Sequence, residues 1–421
     1  MTFSPRSSAQ WVFVGLAALL PLLILSTSWG GSGSFYLLLA ASGTILALNG
    51  KPLHELLATA KSYRTLTVAL FILVASVLVS QAWHSSWYSS EFEKCLRFTL
   101  GLVILAAALL IPRDQLQYAI LGIIAATWYG ALNVAWLAYI SQARPAPAEF
   151  NAVSYGDLIL LFATITFLSR GCQITPYRQL ESAFKLTTAV VGLLGFALTQ
   201  TRGGLLAIPC FILIWLMSLR RWSVRLRLIT FAVAIAVFAF AVQANSSLRS
   251  RIDAGIDEYA QCAVSPLEDT SICIRLQLWA AARDMIASEP LLGVGGGRKF
   301  RESLHTRYEK GEVSAVVAQD YGETHNDLLY FFATYGVLGC VGILAIYLGP
   351  ICYLAPRLRR AADAERAAAA AGLALCIGFA VFGLSEMMFR GMRTASLYVT
   401  WMVIFLAMSQ PQQMPHDSDH D

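Results

Sequence analysis

Apolar residues fall in long runs, Trp11 to Leu25, Leu66 to Val79 and Phe231 to Val242 among them, separated by short polar breaks. A bilayer core of roughly 30 Å needs about 20 consecutive apolar residues of helix, and windows of that length predict about twelve spans. They begin near Trp11, Ser34, Thr65, Leu96, Leu116, Ala152, Leu186, Gly203, Arg225, Asp327, Ala367 and Thr394, and the last ends near Met408. An even number of spans puts both termini on one side. No small-residue cleavage site clearly follows the first run, which therefore reads as a retained helix rather than a removed signal peptide.

Composition agrees with this pattern. Of 421 residues, 57% are hydrophobic and 14% charged, against roughly 25% charged in an average soluble domain, and the mean hydropathy is +0.59. These values argue against a soluble enzyme and exclude a disordered chain and a fibrous repeat, and eight cysteines are too few for a disulfide scaffold. The expected fold is an all-α integral membrane protein. The net charge of +5 matters by location. Placing the N-terminus in the cytoplasm gathers most arginines and lysines of the short loops on that side, Arg220, Arg221, Arg225, Arg227, Arg357, Arg359 and Arg360 among them.

Four regions follow: residues 1–244 with spans one to nine, a long external segment 245–326, residues 327–408 with spans ten to twelve, and a polar cytoplasmic tail 409–421 that reads as disordered. In a bacterial inner membrane the external segment is periplasmic. It is partly helical, with Ile274, Leu278, Ala281 and Met285 on one stripe, and too small for an ordinary independent domain, so it is expected to lie across the outer mouth of the bundle. Trp83, Trp87 and Tyr88 have the character of an interfacial aromatic belt. Cys210, Cys340, Cys352 and Cys376 are expected as small packing residues, whereas Cys262 and Cys273, close together in an oxidising compartment, are expected to form a disulfide.

Charges near a membrane on its outer side ask for a reason. Arg202 lies in Thr199-Gln200-Thr201-Arg202-Gly203-Gly204, a connection so short that spans seven and eight form a tight hairpin with the arginine at the outer mouth. It either reaches lipid headgroups or binds an anionic substrate. Arg275 opens an amphipathic stretch that leads to Gly293-Val294-Gly295-Gly296-Gly297-Arg298-Lys299. That glycine run lacks a Walker lysine and a preceding strand, so it reads as a turn or hinge that retains the option of donating backbone amides to an anion. ATP is not expected as a substrate, nor nucleic acid as a partner.

In Glu323-Thr324-His325-Asn326-Asp327 the spacing of Thr324 and Asp327 suits a capping box, which would put His325 in the first turn of span ten, where a helix dipole favours the neutral, proton-accepting imidazole. A structural histidine at the interface is the plain alternative. His54, His84, His305, His416 and His420 make no convincing metal site, and no metal or other cofactor is expected. Glu386 and Arg390, four apart, are expected to pair with each other, and Arg393 extends the basic cluster.

Arg202 after an apolar helix, Arg275 with Trp279, the turn Pro290-Leu291-Leu292-Gly293-Val294-Gly295, and His325-Asn326 opening a helix that runs to Tyr335-Gly336-Val337-Leu338-Gly339 occur in one order. This set, about Thr199 to Ile346, resembles the O-antigen ligase and polymerase superfamily, and the first six spans match in hydropathy alone. The resemblance implies a GT-C-like polytopic glycosyltransferase that moves a glycan from undecaprenyl diphosphate to an acceptor without nucleotide sugar or metal. It implies His325 as the catalytic histidine and Arg202 and Arg275 as diphosphate-binding residues. Read from the sequence beside them, Asn326, Gly203, Gly204, Glu386, Arg390 and Arg393 are candidate supporting residues.

Within that superfamily the short Ser141 to Asn151 loop and the short C-terminal tail favour the ligase that joins O-antigen to lipid A-core over the polymerase and the protein O-oligosaccharyltransferase. The partners would then be undecaprenyl diphosphate-linked O-antigen, lipid A-core and membrane lipids. A polyprenyl-linked glycan transporter is the alternative from another class. It is disfavoured because transporter sites lie near the midplane in repeated halves, whereas these residues cluster at the outer surface.

Overall fold

The computed structural model describes residues 4–141, 145, 147, 150–360 and 362–411. Arg144, His416 and His420 lie outside the described residues, as do most of the 142–149 connection and the tail from residue 412. The helices are α1 Pro5–Ser26, α2 Gly30–Leu48, α3 Pro52–Ser62, α4 Arg64–Trp83, α5 Ser89–Leu109, α6 Arg113–Leu116, α7 Ile120–Ser141, α8 Ala152–Leu168, α9 Arg178–Leu198 and α10 Ala207–Ser218. They continue with α11 Val224–Ala244, α12 Ser246–Val264, α13 Ser271–Ser288, α14 Gly297–Glu309, α15 Ala315–Asp320, α16 Asp327–Leu348, α17 Ile351–Arg360, α18 Asp363–Phe382 and α19 Met392–Met408. No strand occurs among the described residues. Starts are set by side-chain oxygens on free amides, as where Ser4 accepts from Ser7 N at 3.2 Å and Asn151 from Val153 N at 2.7 Å.

Among the described residues nine helical runs are long and apolar enough to cross a membrane: Pro5–Ser26, Gly30–Leu48, Arg64–Trp83, Arg113–Ser141, Ala152–Gly171, Arg178–Leu198, Val224–Ala244, Asp327–Arg359 and Asp363–Phe382. The protein is a multi-pass, all-helical membrane protein. Three further helices fall where spans were expected but are shorter or more charged: α5, Gly203–Ser218 and α19. In α5 the charge is neutralised internally, because the buried Arg97 guanidinium donates to Glu93 Oε1 at 3.0 Å and to Ser396 Oγ at 2.7 Å. α19 is enclosed, every residue from Thr394 to Met408 being buried, while α11 buries none of its residues and lies at the periphery. The polar tail begins later than its composition suggests, since Ser409 is buried and accepts from Arg357, and the Gln410 carbonyl accepts from Arg113.

Residues 245–326 form α12 to α15, of which α13 to α15 enclose a small second core of Ile274, Leu278, Met285, Phe300, Leu304 and Val317 that reaches α16 through Ala333. Cys262 of α12 and Cys273 of α13 are joined by a disulfide, with their Cα atoms 5.4 Å apart. The glycine run is consumed in building the fold. α16 breaks at Gly336 (φ 67°, ψ −159°), and a broken helix at membrane depth needs its freed backbone groups satisfied. The 290–295 segment supplies the partners: Val294 N donates to Ala333 O at 2.9 Å, Gly295 N to Thr334 O at 3.0 Å, and Val337 N to Pro290 O at 3.0 Å.

The option that this run cradles an anion is thereby corrected. The Gly297 amide donates to Glu91 Oε1 at 2.7 Å, and His84 Nε2 lies 2.6 Å from Gly293 O, so side chains of the α4–α5 region already occupy the concavity. Gly336→Ala tests the break. The backbone angles of Gly336 suit only glycine, at a cost of about 1–3 kcal/mol for any other residue, and a Cβ there would overlap the Leu291 carbonyl. Thermal unfolding in detergent is expected at a clearly lower temperature than wild type. An unchanged midpoint would show that α16 does not depend on this interlock.

Candidate active site

Asn326, not Thr324, caps α16: its side chain accepts from Leu329 N at 3.0 Å, and Thr324 Oγ1 instead donates to Asn326 O at 2.6 Å. The expected capping box is corrected accordingly. His325 lies just before the helix with φ 50°, a left-handed conformation uncommon for a residue other than glycine. Asp327 has a structural task beneath it. Its carboxyl is fully buried and accepts from Tyr347 Oη at 2.6 Å and from the amides of Met388 and Phe389 at 3.1 and 3.3 Å, while Asp327 N donates to Gly383 O at 2.8 Å. These bonds clamp the start of α16 to the 383–391 loop between α18 and α19. Asn326 Nδ2 adds another to Leu384 O at 3.0 Å.

The clamp carries Glu386, 3% exposed, to His325. His325 Nδ1 is 3.0 Å from Glu386 Oε1. Beside a carboxylate oxygen that nitrogen is the donor, which leaves the ring's lone pair on Nε2. Arg275 Nη2 makes a longer contact of 3.4 Å to the same oxygen, and Asn151 Nδ2 donates to Oε2 at 3.0 Å. The expected Glu386–Arg390 pair is not formed. Both residues lie outside helices, where a four-residue spacing brings nothing together, and Arg390 pairs with Glu323. Trp279 Nε1 donates to Thr324 O at 2.9 Å and ties α13 to the His325 turn, while the Tyr321 ring packs edge-on to His325 at 5.5 Å. Burial raises the Tyr321 hydroxyl, with Arg275 opposing, so it remains protonated.

Arg202 forms no ion pair or hydrogen bond among the described residues, and its guanidinium lies against Gly255 of α12, where any side chain would collide with it. Burial, opposed by Glu258 and reinforced by Arg251 and Arg275, holds that guanidinium below its ordinary value. The buried Nε atoms of Arg251 and Arg275 lack hydrogen-bond partners among the described residues. Three guanidinium groups therefore converge with incomplete compensation, an arrangement that favours an anion. Gly203 packs against Ser385, next to Glu386, and Gly204 against Asp157 of α8 and Phe196 of α9, so the Arg202 turn is seated between those helices and the Glu386 loop.

The structure thus brings Arg202, Arg275, His325 and Glu386 together. Arg390 and Arg393 stand apart, on a separate cavity that Glu386 also lines. Sequence reasoning did not single out Arg251, Glu258 or Asn151. Arg251 and Glu258 were unremarkable among many loop charges, and Asn151 was visible only as a loop end. Among the described residues no group of three His, Cys, Asp or Glu is placed to hold a metal ion.

Residues 187–344 match the family model described as O-antigen ligase. This segment belongs to the O-antigen ligase family. It contains Arg202, Arg251, Arg275 and His325, whereas Glu386 and Asn151 reach the site from outside it. An uncharacterized protein of Haemophilus influenzae is 21% identical over 219 residues, covering 51% of this chain and 54% of that protein. The chain spans about half the length of the curated relative it matches.

Proposed function

We propose that this protein transfers O-antigen polysaccharide from undecaprenyl diphosphate to a sugar hydroxyl of lipid A-core at the periplasmic face of the bacterial inner membrane. The observation that carries this reading is the contact of His325 Nδ1 with Glu386, beside three arginines that lack full compensation. Glu386 orients the imidazole, and His325 Nε2 takes the proton from the acceptor hydroxyl. The hydroxyl oxygen attacks the anomeric carbon as the bond to the diphosphate oxygen breaks. The electron pair leaves with undecaprenyl diphosphate, and the configuration inverts. Arg202 and Arg275 take up the charge that develops on the leaving diphosphate, a task suited to bidentate guanidinium forks and one that needs no metal in this scheme.

In the same reading α5, Gly203–Ser218 and α19 complete twelve spans in a GT-C-like arrangement. Both termini are cytoplasmic, and residues 245–326 lie over the periplasmic mouth as a platform for the site.

Reconstitution tests the reaction. Purified protein in liposomes receives undecaprenyl diphosphate-linked glycan and lipid A-core, without nucleotide or added metal, and products are resolved by size. Glycan on lipid A-core is the expected result. Lengthening of the carrier-linked glycan would make the protein a polymerase, and movement of the donor between leaflets with no covalent product would make it a transporter.

A further inference from the structure

We propose that the cavity sharing Glu386 with the site above is a subsite for an anionic group, a phosphate or carboxylate, on the acceptor glycan, with Lys94 as its anchoring cation. This rests on the transfer reaction proposed above. The cavity measures about 740 Å³, within the roughly 300–1,000 Å³ typical of ligand sites. Its walls come from the α1–α2 turn at Trp29, from Lys94 of α5, from Phe150 and Asn151, and from the loop carrying Arg390 and Arg393. Arg202, Arg251 and Arg275 are not among its walls.

The charge balance singles out Lys94. The carboxylates around it are engaged elsewhere: Glu323 with Arg390, Glu386 with His325, Arg275 and Asn151, and Glu91 with the Gly297 amide and the Tyr335 hydroxyl at 2.8 Å. Arg393 donates to Ser28 O at 3.0 Å and lies over the Phe150 ring at 5.5 Å. Lys94 is half-buried, lines the cavity and has no hydrogen bond or ion pair among the described residues. A partly desolvated ammonium facing an open cavity without a partner of its own calls for an anion. Phe150 and the exposed Trp29 add apolar faces on which a sugar ring can rest.

Position supports the assignment as much as charge. An inverting displacement needs the attacking oxygen opposite the leaving group. Arg275 reaches the same Glu386 oxygen as His325, whereas the cavity opens on Glu386 and Asn151 and is not lined by Arg202, Arg251 or Arg275. A glycan held at Lys94 would extend past Glu386, the cavity residue that holds His325, and so approach the base separately from the arginines.

The test uses the full-length protein in nanodiscs of neutral phosphatidylcholine, with and without anionic phospholipid. The acceptor is lipid A-core, either native or enzymatically dephosphorylated with its carboxylates capped, and each form is assayed for transfer and for binding to immobilised protein. Loss of a hydrogen bond to a charged group corresponds to about 10- to 100-fold in affinity. Lys94→Met is expected to raise the acceptor KM by that factor with the donor KM unchanged, and Lys94→Arg to recover part of it. Wild type with the neutralised acceptor is expected to show the same rise, and Lys94→Met no further loss with it. This second arm does not depend on how any variant folds. An unchanged acceptor KM in both arms would overturn the subsite, and an effect seen only with anionic phospholipid would assign Lys94 to membrane headgroups. Failure of the transfer reading would appear separately, as wild type that forms no product.

Discussion

His325→Ala is expected to lower the rate of glycan transfer by about 10²- to 10⁴-fold, the usual contribution of a positioned general base. Glu386 Oε1, 3.0 Å from Nδ1, holds the imidazole with Nε2 as the open acceptor. The backbone complicates the simple variant, because position 325 has φ 50° and alanine tolerates that conformation poorly. Asparagine adopts it more readily, so His325→Asn removes the base with less strain. Both variants should insert and bind the lipid-linked donor like wild type while losing single-turnover transfer to the same extent. Transfer within threefold of wild type in His325→Asn would remove His325 from the chemistry.

Arg202→Lys is expected to reduce kcat/KM for the donor by about 100-fold or more, the loss usual when one preorganised donor to a developing anion is removed. Charge is conserved in this replacement, so a purely Coulombic role would survive it. What disappears is the planar fork that binds two phosphate oxygens at once. Arg202 is suited to show the difference, because among the described residues its guanidinium forms no hydrogen bond or ion pair, and Glu258 offsets its charge only through space. The acceptor KM should remain at its wild-type value. If donor affinity is also unchanged, the side chain reaches lipid headgroups instead. Arg251, which contributes to the same field, is the comparison: Arg251→Lys should weaken donor binding in the same direction.

Two of the corrections show where local pattern stops being informative. Thr324 and Asp327 have the spacing of a capping box, yet Asn326 takes the cap, because the Asp327 carboxyl is claimed by Tyr347 and by the amides of Met388 and Phe389. Glu386 and Arg390 have helical pair spacing, yet they lie in a loop and find partners on other elements. In both cases a contact distant in sequence outweighed an option close in sequence.

The sequence by itself determined that the chain is a multi-pass helical membrane protein and, through an ordered set of motifs, showed the resemblance that the family match over residues 187–344 supports. Hydropathy is a sum over neighbouring residues, so membrane-length helices can be read without knowing what packs against them. Arg202, Arg275 and His325 could be nominated one at a time, since the cost of a charge at the outer surface and the opening of a helix are local signals. Only the tertiary structure decided the rest. Glu386 reaches His325 across 61 positions and Asn151 across 235. The glycine run became a clamp on the break at Gly336 rather than an anion cradle, and Arg251 was distinguished from the other loop arginines only once α12 lay against Arg202. Pairing of polar groups depends on which backbones are brought within hydrogen-bond range, a three-dimensional condition that no periodicity along the chain encodes.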